Sequence, residues 1–255
     1  MKFRTGVAAL ALTGCALLAS GCNADGKANG AQGPAGSRSG AATAAKAGNA
    51  TGELVAAAEK LRSTTYRFSV TTSGVKMEGA ADPATRTVTM TGAMSMNMMM
   101  VDGQFYMKYP KGMPGAEALG NGDKWLHLDT SKISTGELGV QDVNDPSGAA
   151  NYLKSAASVQ KVDDKHFKGT LDLTKAGSGT KATEALGESA KAVPFEATVD
   201  DQGRLSLMDT TMAVNGTDVS SHSKFFDFGT KVTASKPPAA QVVEAPDSFY
   251  RIFNK

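Results

Sequence analysis

The chain has 255 residues, and its 27 Lys and Arg stand against 25 Asp and Glu, a formal net charge of only +2. Such a balance excludes the broad cationic surface that nucleic acid or anionic headgroups require. Both cysteines, Cys15 and Cys22, fall near the N-terminus, so the rest of the chain offers no disulfide, thiol nucleophile or cysteine metal site. The first element in chain order is an export leader. Lys2 and Arg4 open it, an apolar run from Val7 to Leu18 follows, and Ala19-Ser20-Gly21 precede Cys22, the layout of a bacterial lipoprotein signal. Residues 1–21 are therefore expected to be removed and Cys22 acylated. Leu12-Thr13-Gly14-Cys15 is a competing site, but cleavage there would leave a very short apolar core. Two or more acyl chains hold a domain on a membrane where one barely does. The expected location is thus the extracytoplasmic face of the cell membrane, with the lipid anchor as the membrane attachment. No later apolar run reaches the roughly 18 residues needed to span a bilayer.

Residues 22–50 are mostly Gly, Ala, Ser and Asn with a few lysines, too poor in apolar groups to repay ordering, and read as a flexible tether. Residues 51–235 read as one domain. Residues 236–255 read as a C-terminal tail, although Phe249, Tyr250, Ile252 and Phe253 make it unusually apolar. From Thr51 a helix is predicted, with Leu54, Val55, Ala58 and Leu61 on one face. Strands follow. Tyr66–Thr72 and Val75–Ala81 alternate on either side of Ser73-Gly74, a two-residue hairpin signal. Pairing Thr72 with Val75 sets Val70 opposite Met77 and Phe68 opposite Gly79. A turn over Asp82-Pro83-Ala84-Thr85, with proline where a type I turn favours it, would set Met77 opposite Met90 and Gly79 opposite Val88.

Met94-Ser95-Met96-Asn97-Met98-Met99-Met100-Val101, then Asp102-Gly103, then Gln104–Tyr109 form a strong hairpin signal. Its register places Met100 opposite Phe105, Met98 opposite Met107 and Met96 opposite Tyr109, with Asn97 and Lys108 on the other face. A strand around Trp125, a helix begun by Asp145-Pro146, strands near Val159–Val162 and His166–Leu173 and a short helix over Lys181–Ala190 come next. Strands over Val193–Val199, Leu205–Val214 and a last one through Phe225 complete the count. The expected fold class is α+β: a strongly curved antiparallel sheet of about ten strands, a half-barrel, with helices covering its concave face.

The tether and helix, the early hairpins, Val101-Asp102-Gly103-Gln104-Phe105-Tyr106-Met107-Lys108, Asp123-Lys124-Trp125, Lys168-Gly169-Thr170-Leu171-Asp172 and Asp200-Asp201-Gln202-Gly203-Arg204 resemble the actinobacterial LppX/LprG-type lipoproteins. That family shares the half-barrel of the LolA/LolB carriers. The resemblance implies an apolar cavity that holds acyl chains of envelope lipids or lipoproteins, hence lipid binding and transfer.

No nucleophile elbow, His-Glu-x-x-His helix or phosphate loop occurs. His127, His166 and His222 lie on separate predicted strands, so no catalytic residue, cofactor or metal site is assigned. The candidate ligand-cavity residues are Phe68, Val70, Met77, Met90, Met94, Met96, Met98, Met100, Phe105, Met107 and Tyr109. Methionine is flexible and polarizable and moulds itself to ligands of varied shape. The same residues also fit a plainly filled core in a module that meets an envelope protein partner, or a thioether site for Cu(I). The long loops 110–122 and 130–144 fit either lids or surface slack.

Overall fold

The computed structural model describes residues 38–92, 95–112, 124–133, 145–176, 183, 186–214 and 216–253. The leader, Cys15 and Cys22, Met94 and most of the two long loops lie outside the described residues. Helix α1 covers Arg38–Glu59 and runs on through a short 3-10 segment, Lys60–Ser63. It starts within the stretch read as a tether, where alanines of high helix propensity are frequent. Leu54, Ala57, Ala58 and Leu61 are buried, and Val55 packs beside them.

Six strands follow in sequence: β1 Tyr66–Thr72, β2 Val75–Asp82, β3 Thr87–Thr91, β4 Asn97–Val101, β5 Gln104–Lys108 and β6 Trp125–Leu128. Helix α2, Ala149–Lys154, carries the chain to the far edge. From there β7 Ala156–Lys161, β8 His166–Leu171, β9 Val193–Val199, β10 Leu205–Val214 and β11 Thr217–Phe226 return to the centre. A third helix, α3, spans Asp247–Phe253 after the short strand β12, Val242–Glu244. All twelve strands form one sheet in the order β12-β6-β5-β4-β3-β2-β1-β11-β10-β9-β8-β7. Two meanders are therefore joined where β1 pairs antiparallel with β11.

Local turn chemistry sets the registers. Ser73 and Gly74 have φ of 50° and 79°, and Asp102 and Gly103 have 52° and 74°, the paired left-handed conformations of a type I′ hairpin. Thr72 meets Val75 and Val101 meets Gln104, as the sequence predicts. The turn between β2 and β3 differs. Arg86 takes a left-handed φ of 50° while its N–H bonds to Pro83 O at 3.2 Å. The loop is thereby longer, Asp82 pairs with Thr87, and Gly79 meets Met90 while Ala81 meets Val88. A two-residue shift preserves which face each side chain takes. At α2, Asp145 does not cap the helix. It is buried, its Oδ2 3.2 Å from Arg62 Nη2 and its Oδ1 accepting from Ser147 Oγ at 2.9 Å, and Gly148 with φ 65° opens the helix instead.

The half-barrel expectation is corrected. The sheet is open, its edges β7 and β12 do not pair, and it is not strongly curled. Among the described residues the count is twelve strands rather than about ten, and one pair, β12 with β6, is parallel. Cover for the apolar face arrives from two directions, which removes the need to wrap the sheet around one helix pair. Helix α1 packs on β7, β10 and α2. The other edge is covered by the C-terminal residues. After β11 the chain is fixed by Gly229 N–H to Thr65 O at 2.8 Å and by Lys236 Nζ to Asp102 at 3.3 Å, and reaches the far side of the first meander. There β12 pairs with β6, Asp129 N–H donates to Tyr250 Oη at 2.8 Å, and Phe249 and Tyr250, 1% and 4% exposed, join the core with Leu126, Leu128 and Ile133.

Truncating a buried aromatic side chain leaves a cavity that the surroundings only partly fill. Phe249→Ala is expected to lower unfolding free energy by about 3–5 kcal/mol, read as a fall in the denaturant midpoint. An unchanged midpoint would contradict the placement of α3 in the core.

Candidate functional site

Register defines two faces. Directly paired residues in neighbouring strands share a face, so Phe68, Gly79, Met90, Met98, Met107 and Leu126 form one line across β1 to β6. A second line one step along the strands is Tyr66, Ala81, Val88, Met100, Phe105 and Leu128. Val70 and Met77 pair on the same face. The registers thus bring Phe68, Val70, Met77, Met90, Met98, Met100, Phe105 and Met107 onto one side of the sheet. Met96 and Tyr109 lie just beyond the ends of the β4–β5 ladder and pack against the same core.

Burial divides this face. Met100, Phe105 and Met107 are 1%, 3% and 5% exposed and form a floor with Tyr66, Ala81 and Val88. Toward the other strand ends, Phe68, Val70, Met77, Met90, Met96, Met98 and Tyr109 are only half-buried. Val75, beside the first hairpin tip, is 48% exposed. An apolar wall therefore runs from a packed floor to an open rim. Burial raises the phenol pKa of Tyr109, in keeping with a rim side chain that is partly withdrawn from water.

Gly79 makes part of this shape possible. A Cβ at that position would lie 2.5 Å from Phe68 Cζ and 2.2 Å from Thr89 O. The missing side chain lets the Phe68 ring lie across β2 and the backbones of β2 and β3 approach closely. At the rim, Met77 reaches toward Gly92, where an added Cβ would stand 3.9 Å from its Cγ.

Beside Tyr66 lies a partly buried polar network centred on the buried Asp145. Arg62 bridges Asp145 and donates to Asn151 Oδ1 at 3.3 Å, and Ser147 joins Asp145 to Tyr66. Burial pushes the Tyr66 phenol well above its usual pKa, with the Asp145 charge adding to this and hydrogen bonding from Ser147 opposing it. These residues lock α2 to α1 and β1, and sequence reading missed them because Asp145-Pro146 also fits a helix start.

The opposite face carries the charges. His127 lies between Glu244, 2.9 Å from its Nδ1, and Gln104 Oε1, 2.7 Å from its Nε2. His166 and His222 pair separately with Asp163 and Asp209. The structure does not bring the three histidines together. Among the described residues no group of three or more His, Cys, Asp or Glu is placed to hold a metal ion. Three grooves of about 620, 610 and 610 Å³ lie along this polar face, lined by such residues as Lys168, Glu196 and Asp209, Thr71, Ser220 and His222, and Arg67, Glu78 and Trp125. No helix among the described residues is long and apolar enough to cross a membrane.

No family model matches the chain, and no curated protein matches it in sequence. Among solved structures it is similar to a crystal structure of the Mycobacterium tuberculosis lipoprotein LppX, with 12% identity over 74% of this chain and 99% of that one and a TM-score of 0.45. A DUF1329 family protein from Desulfovibrio piger matches with 10% identity over 76% of this chain and 98% of that one, at a TM-score of 0.24. The likeness to LppX is a remote one.

Two changes test the geometry of the wall. Gly79→Val is expected to displace Phe68 and destabilise the fold by about 1–3 kcal/mol, the usual range for overpacking, as measured by denaturant unfolding. For Tyr66, the folded phenol has the raised pKa, so its contribution is fully present below the unfolded value near pH 10 and is lost as pH rises further. Tyr66→Phe should therefore flatten the alkaline fall in stability above about pH 10, and an unchanged alkaline profile would count against this role.

Proposed function

We propose that the chain is an exported lipoprotein, anchored through Cys22, that binds the acyl chains of a lipid or similar amphiphile on the methionine wall and carries or shields that lipid within the envelope. The observation that carries this reading is the half-buried rim of Phe68, Val70, Met77, Met90, Met96, Met98 and Tyr109 above a packed apolar floor. Fully internal core would be closed, and a solvated sheet face would be polar. This one is apolar and open. Thioethers adapt to chains of varied shape, and each methylene withdrawn from water contributes about 0.8 kcal/mol. Ten methylenes laid along the wall would gain roughly 8 kcal/mol before ordering costs. Binding and release then need no covalent chemistry.

One observation favours a second reading. The floor of Met100, Phe105 and Met107 is already filled, as in an interaction module whose rim is covered by a protein partner.

The two are separated by titrating the protein with an uncharged fluorescent long-chain fatty acid methyl ester. Burying a carboxylate among apolar groups without a partner is strongly unfavourable, so Met98→Asp should weaken uptake by at least about tenfold. Asn97→Asp, one residue away on the exposed face, should leave uptake within about twofold. Equal losses would contradict the face assignment, and absence of uptake by the unmodified chain would favour the interaction module.

A further inference from the structure

The wall does not end at β1. Across the β1–β11 junction the same face continues into hydroxyl side chains. Ser223 pairs with Val70 on one side and with Met208 on the other, and Met208 is buried core. Ser221 pairs with Thr72 and with Thr210, and Thr210 pairs with buried Phe195. Thr72, Thr210, Ser221 and Ser223 therefore face the apolar side, and all four are half-buried. Thr72 Oγ1 donates to Ser221 Oγ at 2.9 Å. The Ser221 proton is then left to donate elsewhere.

The strands themselves withhold charge from this side in a systematic way. Among the described residues, the apolar-side positions of β1 to β6 and β8 to β11 carry no Asp, Glu, Lys or Arg. Alternation sends Arg67, Lys76, Glu78, Lys108, Lys168, Glu196, Asp209 and Lys224 to the other face. Two charged groups do reach this side: Lys161 on the edge strand β7, held by Glu53 of α1 at 2.8 Å, and the Arg62–Asp145 pair beside Tyr66, at the opposite end of β1 from Thr72.

We infer that the hydroxyl patch of Thr72, Thr210, Ser221 and Ser223 is a headgroup subsite that selects an uncharged, oxygen-bearing headgroup, such as a glycerol ester or a glycosyl group, over a phosphate. This rests on the reading of the methionine wall as an acyl-chain site. An ester carbonyl or hydroxyl lying across β1, β11 and β10 exchanges hydrogen bonds with these side chains while its chains lie along β2 to β5. A phosphate at the same place would lose water and meet no cation, an uncompensated burial of charge. Selectivity then comes from what the wall withholds as much as from what it offers.

The test uses the full chain carrying Cys22→Ser, so that no attached acyl group competes, with a bound fluorescent fatty acid methyl ester, which is uncharged, as reporter. Dioleoylglycerol, a monoglycosyl dioleoylglycerol and dioleoyl phosphatidylglycerol share their acyl chains and differ in headgroup. Displacement by either neutral lipid should be at least about tenfold stronger than by phosphatidylglycerol. A preference for the first over the second would identify the glycerol hydroxyl as the recognised group, and the reverse order would identify the sugar. Ser223→Lys, which supplies the missing cation, should narrow or reverse the discrimination. Equal displacement by all three lipids would overturn the headgroup inference and leave acyl binding standing. Failure of every lipid and of the reporter itself to bind would overturn both.

Discussion

The structure depends on one constraint: a single twelve-stranded sheet presents one continuous apolar face, and the described helices cover only part of it. Helix α1 with α2 shields the second meander, and the C-terminal helix shields the outer edge of the first. Between them the ends of β1 to β5 keep methionines and aromatics half in contact with water. Apolar area left open in this way is unfavourable unless something occupies it. An acyl chain is a suitable occupant because it asks for area and adaptability rather than for directed bonds.

The remaining architecture serves that division. Pairing of β1 with β11 fuses two meanders that would otherwise have separate edges, and it places the methionine wall next to the hydroxyls of β10 and β11. The Arg62–Asp145–Ser147–Tyr66 network fixes α2 under the closed end. A buried pair of this kind contributes little net stability, yet it is strongly destabilising when one partner is lost, so it specifies position rather than supplying drive. The C-terminal residues close the first meander by a parallel strand and two aromatic plugs.

Much of the wall was legible because strand periodicity and short turns are local. Ser73-Gly74 and Asp102-Gly103 dictate registers by the left-handed conformations they readily adopt, and these alone put Val70 with Met77 and Met98 with Met107. The β2–β3 register was misplaced by two residues because Arg86, not an evident turn residue, takes positive φ. Its effect on the face was nil. The half-barrel failed for a nonlocal reason: the cover at the β6 edge comes from residues 242–253, whose three-residue parallel strand has no periodic signature. Asp145 was misread because a buried ion pair to Arg62 depends on tertiary contact, and the same Asp-Pro sequence also suits a helix start.

Native mass spectrometry of the full chain, purified from an envelope-bearing host and followed by organic extraction, tests the central claim most directly. The account predicts a stoichiometric lipid beyond the anchor, released together with the folded state. A mass showing the anchor alone, with no uptake of added diacyl lipid, would contradict it and point to a rim covered by a protein partner.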